Sequence, residues 1–487
     1  MTANKLSLNP SLNSLLICIP VWGDSFVAKF IDYTLVTLLN DLDVDFFKRH
    51  HVELHFFTSS HDQKKLSAID FASFGLMAFY HQIDEEISKH AQGRRGEKYR
   101  ILNYCHELGM QIALEKKQAY MPLVSDVLVS KGAIRYAFEK IQQGYLAVFV
   151  GTIRVISEIY ETRFSTISKD TFNGWQGYEI VDIALEDLHS KVDMTTVNTL
   201  GFDYTWPDSL YWLDQTQGLV QKGLFLHPFI FLPNRSMSLD MHTIDVNLEG
   251  LPIDESYNNI YVVGSSDELV CASLCDRNEF EHIKIEDDKR FEIDKLGEFL
   301  AFDLAVKPLH FYFLNQSIYF KRNTESKLDC LNVEAKECVE NILQSYHLFH
   351  KLKQAQGLTS TQNRLLGLIS KYEDGWLRMT KQKVNELIDL EGIKKMVVYG
   401  FGEHSEMLLN FTDITPYIAA FSDGNPDLWG KYKQGIRCVS PHDIPLYSKD
   451  VLISSREYET DIETALLKIF GNQIRIFKLY DNNRMMN

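Results

Sequence analysis

The sequence predicts an α/β protein with an N-terminal mixed sheet flanked by helices, a helical middle segment and a small C-terminal parallel sheet. The first indication is residues 15–19, five apolar residues in succession that are followed by Pro20 and Gly23. An unalternated apolar strand of this kind is typical of a parallel sheet covered on both faces. The second indication is the C-terminal stretch from Lys394, in which apolar strands alternate with helical segments.

Changes of pattern divide the chain into three predicted domains, residues 1–290, 291–390 and 391–487. The first domain has predicted strands at 15–19, 52–59, 75–80, 119–124, 146–150, 224–232 and 260–263, and helices at 26–39, 97–116 and 131–142. Helical spacing at 291–320, 334–353 and 372–390 predicts the connecting region. The last domain has predicted strands at 394–399, 417–423, 450–455 and 473–478.

Composition narrows the class of protein. With 50 Lys and Arg against 66 Asp and Glu among 487 residues, the formal net charge is −16, which argues against a nucleic-acid-binding protein. Seven scattered cysteines indicate a reducing compartment, and the lone Cys271-x-x-x-Cys275 pair does not predict structural zinc. No apolar run reaches the roughly 18 residues that span a bilayer, and no signal-peptide pattern is present. We expect a cytoplasmic protein, with a peripheral position at the inner membrane face as the alternative.

One acidic residue follows a predicted strand directly. Asp126 comes after the apolar strand at 119–124, where ligands bind in open α/β sheets. A carboxylate there can hold a divalent cation that bridges a diphosphate, since hard cations prefer oxygen ligands. The alternative is a loop aspartate that caps the following helix.

The first 270 or so residues resemble bacterial glycosyltransferases of the GT-A type. The matching pieces are Ile-Pro-Val-Trp-Gly-Asp at 19–24, Lys98-Tyr99, the segment 122–132 and Leu-His-Pro-Phe at 226–229. In such enzymes a DxD motif ends the strand and binds the metal and the nucleotide-sugar diphosphate. This chain has Val124-Ser125-Asp126, so the first acid is missing and strict dependence on Mn²⁺ or Mg²⁺ is in doubt.

The resemblance implies part of the set of site residues, and polar positions near the ends of predicted strands supply the rest. His227 is the candidate to complete the metal site with Asp126, against the alternative of a hydrogen-bonded core histidine. An inverting transfer also needs a base on the acceptor hydroxyl, and the sequence does not choose among the candidates. The donor-binding residues are Pro20, Val21, Trp22, Asp24, Lys98, Ser125, Asp126 and Arg154, and the candidate bases are Asp245, Asp267 and Glu268. For Arg154, a surface pair with Glu158 is the favoured alternative.

A second predicted site lies in the C-terminal, Rossmann-like domain. Gly400-Phe-Gly402 follows an apolar strand and opens a helix, as a dinucleotide fingerprint requires, but Ser405 replaces the third glycine. Asp423 ends the next strand, where a ribose-binding acid would lie. These residues, with Glu403 and His404, predict a nucleotide or sugar-phosphate site. The domain also resembles modules at the ends of bacterial sugar-modifying proteins, many of which have no assigned activity, so a turn without ligand or an assembly module is the alternative.

The combined prediction is a glycosyltransferase that moves a sugar from a nucleotide-sugar donor to a bacterial surface glycan or glycoconjugate. Two alternatives stay open: an oxidoreductase or epimerase that uses the C-terminal domain, and a non-catalytic assembly protein. No nucleic-acid partner is expected, and a homo-oligomer is left open.

Overall fold

The computed structural model describes residues 12–90, 97–168, 171–203, 207–235, 251–279, 291–302, 306–355, 380, 383–384, 387–388, 392–412, 414–455 and 458–479. Contacts divide the chain into two compact units. Unit 1 comprises Met1–Ile293 and Val306–Gln344, and unit 2 comprises Asp294–Ala305 and Ser345–Asn487. The three-domain division of the sequence stays a prediction beside these two units.

Unit 1 contains thirteen strands among the described residues: β1 Ser14–Pro20, β2 His51–Thr58, β3 Leu76–Gln82, β4 Ala119–Pro122, β5 Val127–Val129, β6 Ala147–Val150, β7 Thr152–Ile156, β8 Ser209–Asp214, β9 Gly218–Gly223, β10 His227–Phe231, β11 Ile260–Val262, β12 Cys271–Cys275 and β13 Ile318–Lys321. Its helices are α1 Asp24–Lys29, α2 Leu35–Leu38, α3 Asp41–Arg49, α4 Ser60–Leu66, α5 Asp84–His90, α6 Glu97–Lys116, α7 Ala133–Gln142, α8 Ser157–Ser165, α9 Gly177–Glu186, α10 Ser190–Asp193, α12 Pro308–Asn315 and the first part of α13 Asp329–Ala355. A π-helical turn, Phe30–Thr34, joins α1 to α2. Helix α11 Ile293–Phe302 lies almost wholly in unit 2.

The central sheet of unit 1 has seven strands in the order β11-β6-β10-β4-β1-β2-β3. All neighbouring strands are parallel except β10, which runs antiparallel to both β4 and β6. The predicted mixed sheet is therefore confirmed. Strand β1 lies inside the sheet between β4 and β2, and residues 15–19 are fully buried as the unalternated apolar run predicts.

The order of the strands creates a switch point in this sheet. The chain runs from β1 to β2 and β3 on one side, and then returns to place β4 on the other side of β1. In open α/β sheets, ligands bind outside the carboxyl ends of the strands at such a point. The residues just after Pro20 and Pro122, the last residues of β1 and β4, therefore border the crevice that the fold offers to a ligand.

Two small sheets complete unit 1. Strands β5, β12 and β7 form one in the order β5-β12-β7, and β13, β9 and β8 form the other. Strand β13 differs from the sequence-based expectation, which extended helical spacing to residue 320. Its four residues pair antiparallel with β9, from Ile318 opposite Gln221 to Lys321 opposite Gly218. Strand β13 forms because it pairs with β9, about a hundred residues earlier in the chain. The local periodicity of a sequence does not reveal such a partner.

Unit 2 contains a six-stranded sheet in the order β16-β17-β15-β14-β18-β19. Its strands are β14 Met396–Tyr399, β15 Ile418–Ser422, β16 Tyr432–Lys433, β17 Ile436–Val439, β18 Asp450–Ile453 and β19 Arg475–Lys478, and its helices include α14 Glu403–Phe411, α15 Ile444–Tyr447 and α16 Glu459–Phe470. The pairs are parallel apart from the β16–β17 hairpin, which confirms the small parallel sheet. Most of the helix predicted at 372–390 lies outside the described residues. Among the helices described in either unit, none has the length and apolarity to cross a bilayer.

Candidate functional site

The loop after β1 forms the first wall of the crevice in unit 1. Val21 is buried and its N–H donates to the carbonyl of Phe57 at 2.9 Å, while Trp22 is half-buried. Gly23 has a φ of +85°, a conformation that favours glycine, and is the N-cap of α1. Asp24 is exposed at the first position of α1 and accepts a hydrogen bond from Lys65. That bond, together with the positive charge of Lys65, lowers the pKa of Asp24.

A buried carboxylate holds this loop in place. Asp62 in α4 is only 2% exposed. Its Oδ2 accepts from the Gly23 N–H at 2.9 Å and from Ser59 Oγ at 2.7 Å. Its Oδ1 has no hydrogen-bond partner among the described residues and lies 3.9 Å from Lys65 Nζ. Asp62 was not a predicted site residue, because its role depends on a contact between the ends of β1 and β2.

The segment after β4 forms the facing wall. Leu123 N–H donates to the carbonyl of Cys18 at 2.9 Å, so this segment begins beside β1. Ser125 is buried, and its carbonyl accepts from Thr34 Oγ1 at 2.8 Å. The carbonyl of Asp126 accepts from the Leu274 N–H at 2.7 Å. The alternative that Asp126 caps the following helix is wrong, since β5 intervenes and Gly132 is the N-cap of α7.

A lysine brings positive charge to this wall. Lys29, at the end of α1, lies 2.9 Å from Asp276 and interacts electrostatically with Asp126 and Cys275. Partial burial lowers the pKa of Lys29, but the hydrogen bond and the charge of Asp276, with that of Asp126, outweigh burial and raise it. Lys29 therefore stays protonated at neutral pH, with Asp126 within range of its charge.

The antiparallel direction of β10 brings His227 to the same edge of the sheet. His227 is the first residue of β10 and pairs with Val150, the last residue of β6. The start of β10 thus lies where β4 and β6 end. His227 is half-buried and close enough to His106 to affect its titration. Burial first, and then the charge of His227, lowers the pKa of His106 to about 3, so His106 is neutral at neutral pH.

A group of polar side chains, here called the Arg154 cluster, adjoins Asp126. Arg154 Nη1 donates to Cys275 Sγ at 3.1 Å, and the donor atoms of His189, Cys275 and Glu279 all lie within 4.8 Å of one another. Cys275 is the residue after Leu274, which bonds to Asp126. Burial opposes the charge of Arg154, but Cys275 and Asp208 outweigh it and raise the pKa of the guanidinium.

Burial sets the protonation states of His189 and Cys275. It lowers the pKa of His189 to about 4, with help from the charge of Arg154, and raises the pKa of Cys275 to about 11. At neutral pH the cluster therefore combines a neutral imidazole and a neutral thiol with a guanidinium. Its members come from three separate parts of the chain, and apart from Arg154 none was predicted. The Cys271-x-x-x-Cys275 spacing was the only sequence signal.

The candidate bases fall in different places. Asp267 is exposed and forms an ion pair with Lys321. Glu268 follows β11 at the end of the sheet, and its Oε2 accepts from Tyr261 Oη at 3.1 Å and from the Gly264 N–H at 3.3 Å. Asp245 lies outside the described residues, and Lys98 lies in α6. The structure does not choose among the three bases, which stay predictions.

Unit 2 has a switch point of its own. Strand β14 has β15 on one side and β18 on the other, and the glycine turn follows its carboxyl end. Gly400 has a φ of +113°, and a Cβ there would lie 2.8 Å from Ser454 Oγ. Asp423 Oδ2 accepts from the Phe401 N–H at 3.0 Å. Lys433 Nζ donates to the carbonyls of Phe401 and Gly402, at 2.8 Å each. The helix α14 begins here with Glu403 and His404.

Comparisons with known proteins cover parts of the chain. Residues 392–477, in unit 2, match a family model described as C2185-like, N-terminal. No curated protein matches the chain. Among solved structures, the chain is similar to the apo form of mouse xyloside xylosyltransferase 1, with 15% sequence identity and a TM-score of 0.21. The similarity covers 32% of this chain and 58% of that chain, so the match spans little more than half the length of the mouse protein.

Proposed function

We propose that the protein is a glycosyltransferase that moves a sugar from a nucleotide-sugar donor to a glycan or glycoconjugate of the bacterial surface. The observation that carries the proposal is the switch point of unit 1. There the loop from Pro20 to Asp24 and the segment ending at Asp126 border one crevice, and β10 brings His227 to the same edge. A crevice of this kind is where open α/β sheets bind nucleotides.

The charges around the crevice suit a diphosphate. Lys29 supplies an ammonium group beside Asp126, and Arg154 supplies a guanidinium in the adjoining cluster. A guanidinium can donate two parallel hydrogen bonds to a phosphate oxygen pair, and an ammonium acts as a point charge. In this proposal, both cations balance the negative charge that builds up on the departing nucleoside diphosphate.

Asp126 and His227 also fit a divalent cation in part. They provide one carboxylate and one imidazole at one edge, and Asp126 and His227 do not belong to a described cluster of three ligands. The diphosphate and water would have to complete the coordination of Mn²⁺ or Mg²⁺. Such an ion, when bound, neutralises charge on the leaving group. The base that takes the acceptor proton is proposed among Asp245, Asp267 and Glu268.

Donor binding is the first test of this function. We expect one class of nucleotide sugar among UDP, GDP, CMP and dTDP sugars to raise the melting temperature of the protein, because a ligand that binds only the native state stabilises it. At a hundred times the dissociation constant the stabilisation is about 2.7 kcal/mol. Scanning the panel with and without Mn²⁺ separates metal-dependent from metal-independent binding. A panel without any shift at millimolar donor would contradict the proposed function.

One observation favours a second function for unit 2. The ammonium of Lys433 donates hydrogen bonds to the carbonyls of the glycine turn. This turn lies at the switch point of unit 2, next to the start of α14. A helix start and a nearby cation both favour phosphate oxygens. We propose that this turn binds a nucleotide or a sugar phosphate, in an oxidoreductase, an epimerase or a sensing domain.

A substitution in the glycine turn tests this second site. A Cβ at Gly402 meets no atom within 4 Å, so Gly402→Val fills the open space in front of the turn while leaving the packing intact. We expect NAD, NADP or a nucleoside diphosphate to raise the melting temperature of the wild type and to shift Gly402→Val by less than half as much. Leu446→Val is the control, since Leu446 is 81% exposed and lies in α15, outside the glycine turn. Equal shifts in wild type and Gly402→Val would exclude a ligand at this turn.

A further inference from the structure

Unit 1 contains a cavity whose lining residues belong neither to the crevice nor to the Arg154 cluster. Its volume is about 410 Å³, and residues of α8, α9 and the chain after β13 line it. We call it the aromatic cavity; the side chains that matter here are Arg163, Trp175, Tyr178, Glu179, Asp182 and Arg322. Small-molecule sites range from about 300 to 1,000 Å³, so a cavity of this size suits a small ligand.

The positive charges in the aromatic cavity are already neutralised. Asp182 lies between two guanidinium groups, with Oδ1 at 2.8 Å from Arg322 Nε and Oδ2 at 3.4 Å from Arg163 Nη2. Glu186 accepts from Arg163 Nε at 2.8 Å. Glu179 adds a third carboxylate. Two cations against three carboxylates give no attraction to a phosphate or a second carboxylate, so an anionic ligand is disfavoured.

Hydrogen-bond donors and a hydrogen-bond acceptor in the aromatic cavity remain available to a ligand. Within the part of the chain that the structure describes, Arg163 Nη1, Arg322 Nη2 and Glu179 Oε1 have no hydrogen-bond partner. The first two are donors and the third is an acceptor. A hydroxyl group donates one hydrogen bond and accepts others, so a ligand with several neighbouring hydroxyl groups matches this mixture.

Two aromatic side chains supply an apolar surface. Trp175 Nε1 donates to Tyr160 Oη at 3.3 Å, and the Trp175 ring contacts Phe172 at a centroid distance of 5.3 Å. These contacts fix the ring before any ligand binds, which lowers the entropy cost of binding. Tyr178 lies three residues on, at the start of α9. A pyranose has one face of C–H groups, which packs on an aromatic ring, and a rim of hydroxyl groups.

We propose that the aromatic cavity binds a neutral pyranose, and that this pyranose belongs to the glycan acceptor. The acceptor role rests on the proposed glycosyltransferase function, whereas the binding of a neutral sugar stands on the cavity alone. The two statements can therefore fail separately.

The test is saturation-transfer NMR on the full-length protein with the methyl pyranosides of glucose, galactose, mannose and xylose, and with methyl glucuronide as the charged probe. We expect at least one neutral glycoside to bind with a millimolar dissociation constant. Tyr178→Ala removes one aromatic contact and should weaken that binding by about fivefold to tenfold. Tyr104→Ala, which removes an exposed tyrosine of α6, is the matched control and should bind as the wild type does.

Four results would count against the proposal, and a fifth supports it. Absence of binding by every neutral glycoside, or equal binding by wild type and Tyr178→Ala, overturns the cavity as a sugar site, whatever the donor experiment gives. Stronger binding of the glucuronide than of the glucoside overturns the argument from charge. Displacement of the bound glycoside by the nucleotide sugar would assign the cavity to the donor. Glycoside binding that is retained in Asp126→Ala supports a separate acceptor site.

Discussion

The Asp126→Ala variant is expected to lose donor turnover by about 100-fold to 1,000-fold, measured as release of the nucleoside diphosphate. Asp126 is the acid that ends the segment after β4 at the switch point, and its carboxylate lies in the field of Lys29. Removing it takes away the proposed metal ligand and leaves the ammonium of Lys29 less well balanced. The loss of the metal ion would weaken interactions with the charge that develops on the leaving group, and we expect this loss to outweigh the freer ammonium of Lys29.

The fold should survive this substitution. The main-chain carbonyl of Asp126 makes the bond to Leu274 that joins the segment to β12, and alanine retains that carbonyl. The matched control is Asp45→Ala, which removes an exposed aspartate of α3 whose side chain lies 3.8 Å from Arg49. We expect both variants to unfold at the same urea concentration as the wild type, and only Asp126→Ala to lose turnover. Unchanged turnover in Asp126→Ala would remove Asp126 from the site.

The Asp62→Ala variant is expected to destabilise unit 1 by about 2–4 kcal/mol and to weaken donor binding together with stability. Asp62 is buried, and its loss leaves the Gly23 N–H and the Ser59 hydroxyl without their acceptor. Hydrogen bonds to charged groups contribute about 1.5–3 kcal/mol each. The loop from Pro20 to Asp24 would lose its attachment to α4, so the first wall of the crevice would no longer be held in the position that binds the donor.

Two further variants separate these effects. Asp62→Asn keeps one carbonyl oxygen that can accept from Gly23, so it should recover part of both stability and donor affinity. Asp70→Ala removes an exposed N-cap aspartate, whose Oδ1 accepts from the Ser73 N–H at 3.3 Å, and should cost only about 0.5–2 kcal/mol. Urea unfolding and donor titration measure the two quantities. A stable Asp62→Ala protein with wild-type donor affinity would show that the loop does not depend on this carboxylate.

Local patterns in the sequence were enough to predict the parts of the fold that depend on neighbouring residues. The helix predicted at 97–116 is α6, and the buried apolar run is the middle of β1. A strand followed by a break was also enough to place Asp126 at the edge of a sheet. These predictions hold because the burial of both faces of a strand and the periodicity of a helix are each visible in a few consecutive residues.

Contacts between distant segments could not be predicted in this way. Glu279, His189 and Arg154 meet only because β12 pairs with β7 and α10 follows α9. The role of Asp62 depends on its hydrogen bond to the Gly23 N–H, 39 residues earlier. The position of His227 needed the direction of β10, which an apolar run alone does not reveal. A sequence pattern specifies which faces are buried, but not which strands become neighbours.

Strand β10 also makes the crevice of unit 1 depend on contacts between distant parts of the chain. It inserts between β4 and β6, pairing Phe231 with Tyr120 and Ile230 with Val148, which lie far earlier in the chain. Such distant pairings require the closure of long loops before any contact compensates the lost chain entropy, so they form late. A nascent chain can therefore contain β1 and Asp126 in order while His227 is still absent from the edge. Folding intermediates without β10 in place would lack a complete crevice, so any ligand of this crevice would bind only after the whole sheet has assembled.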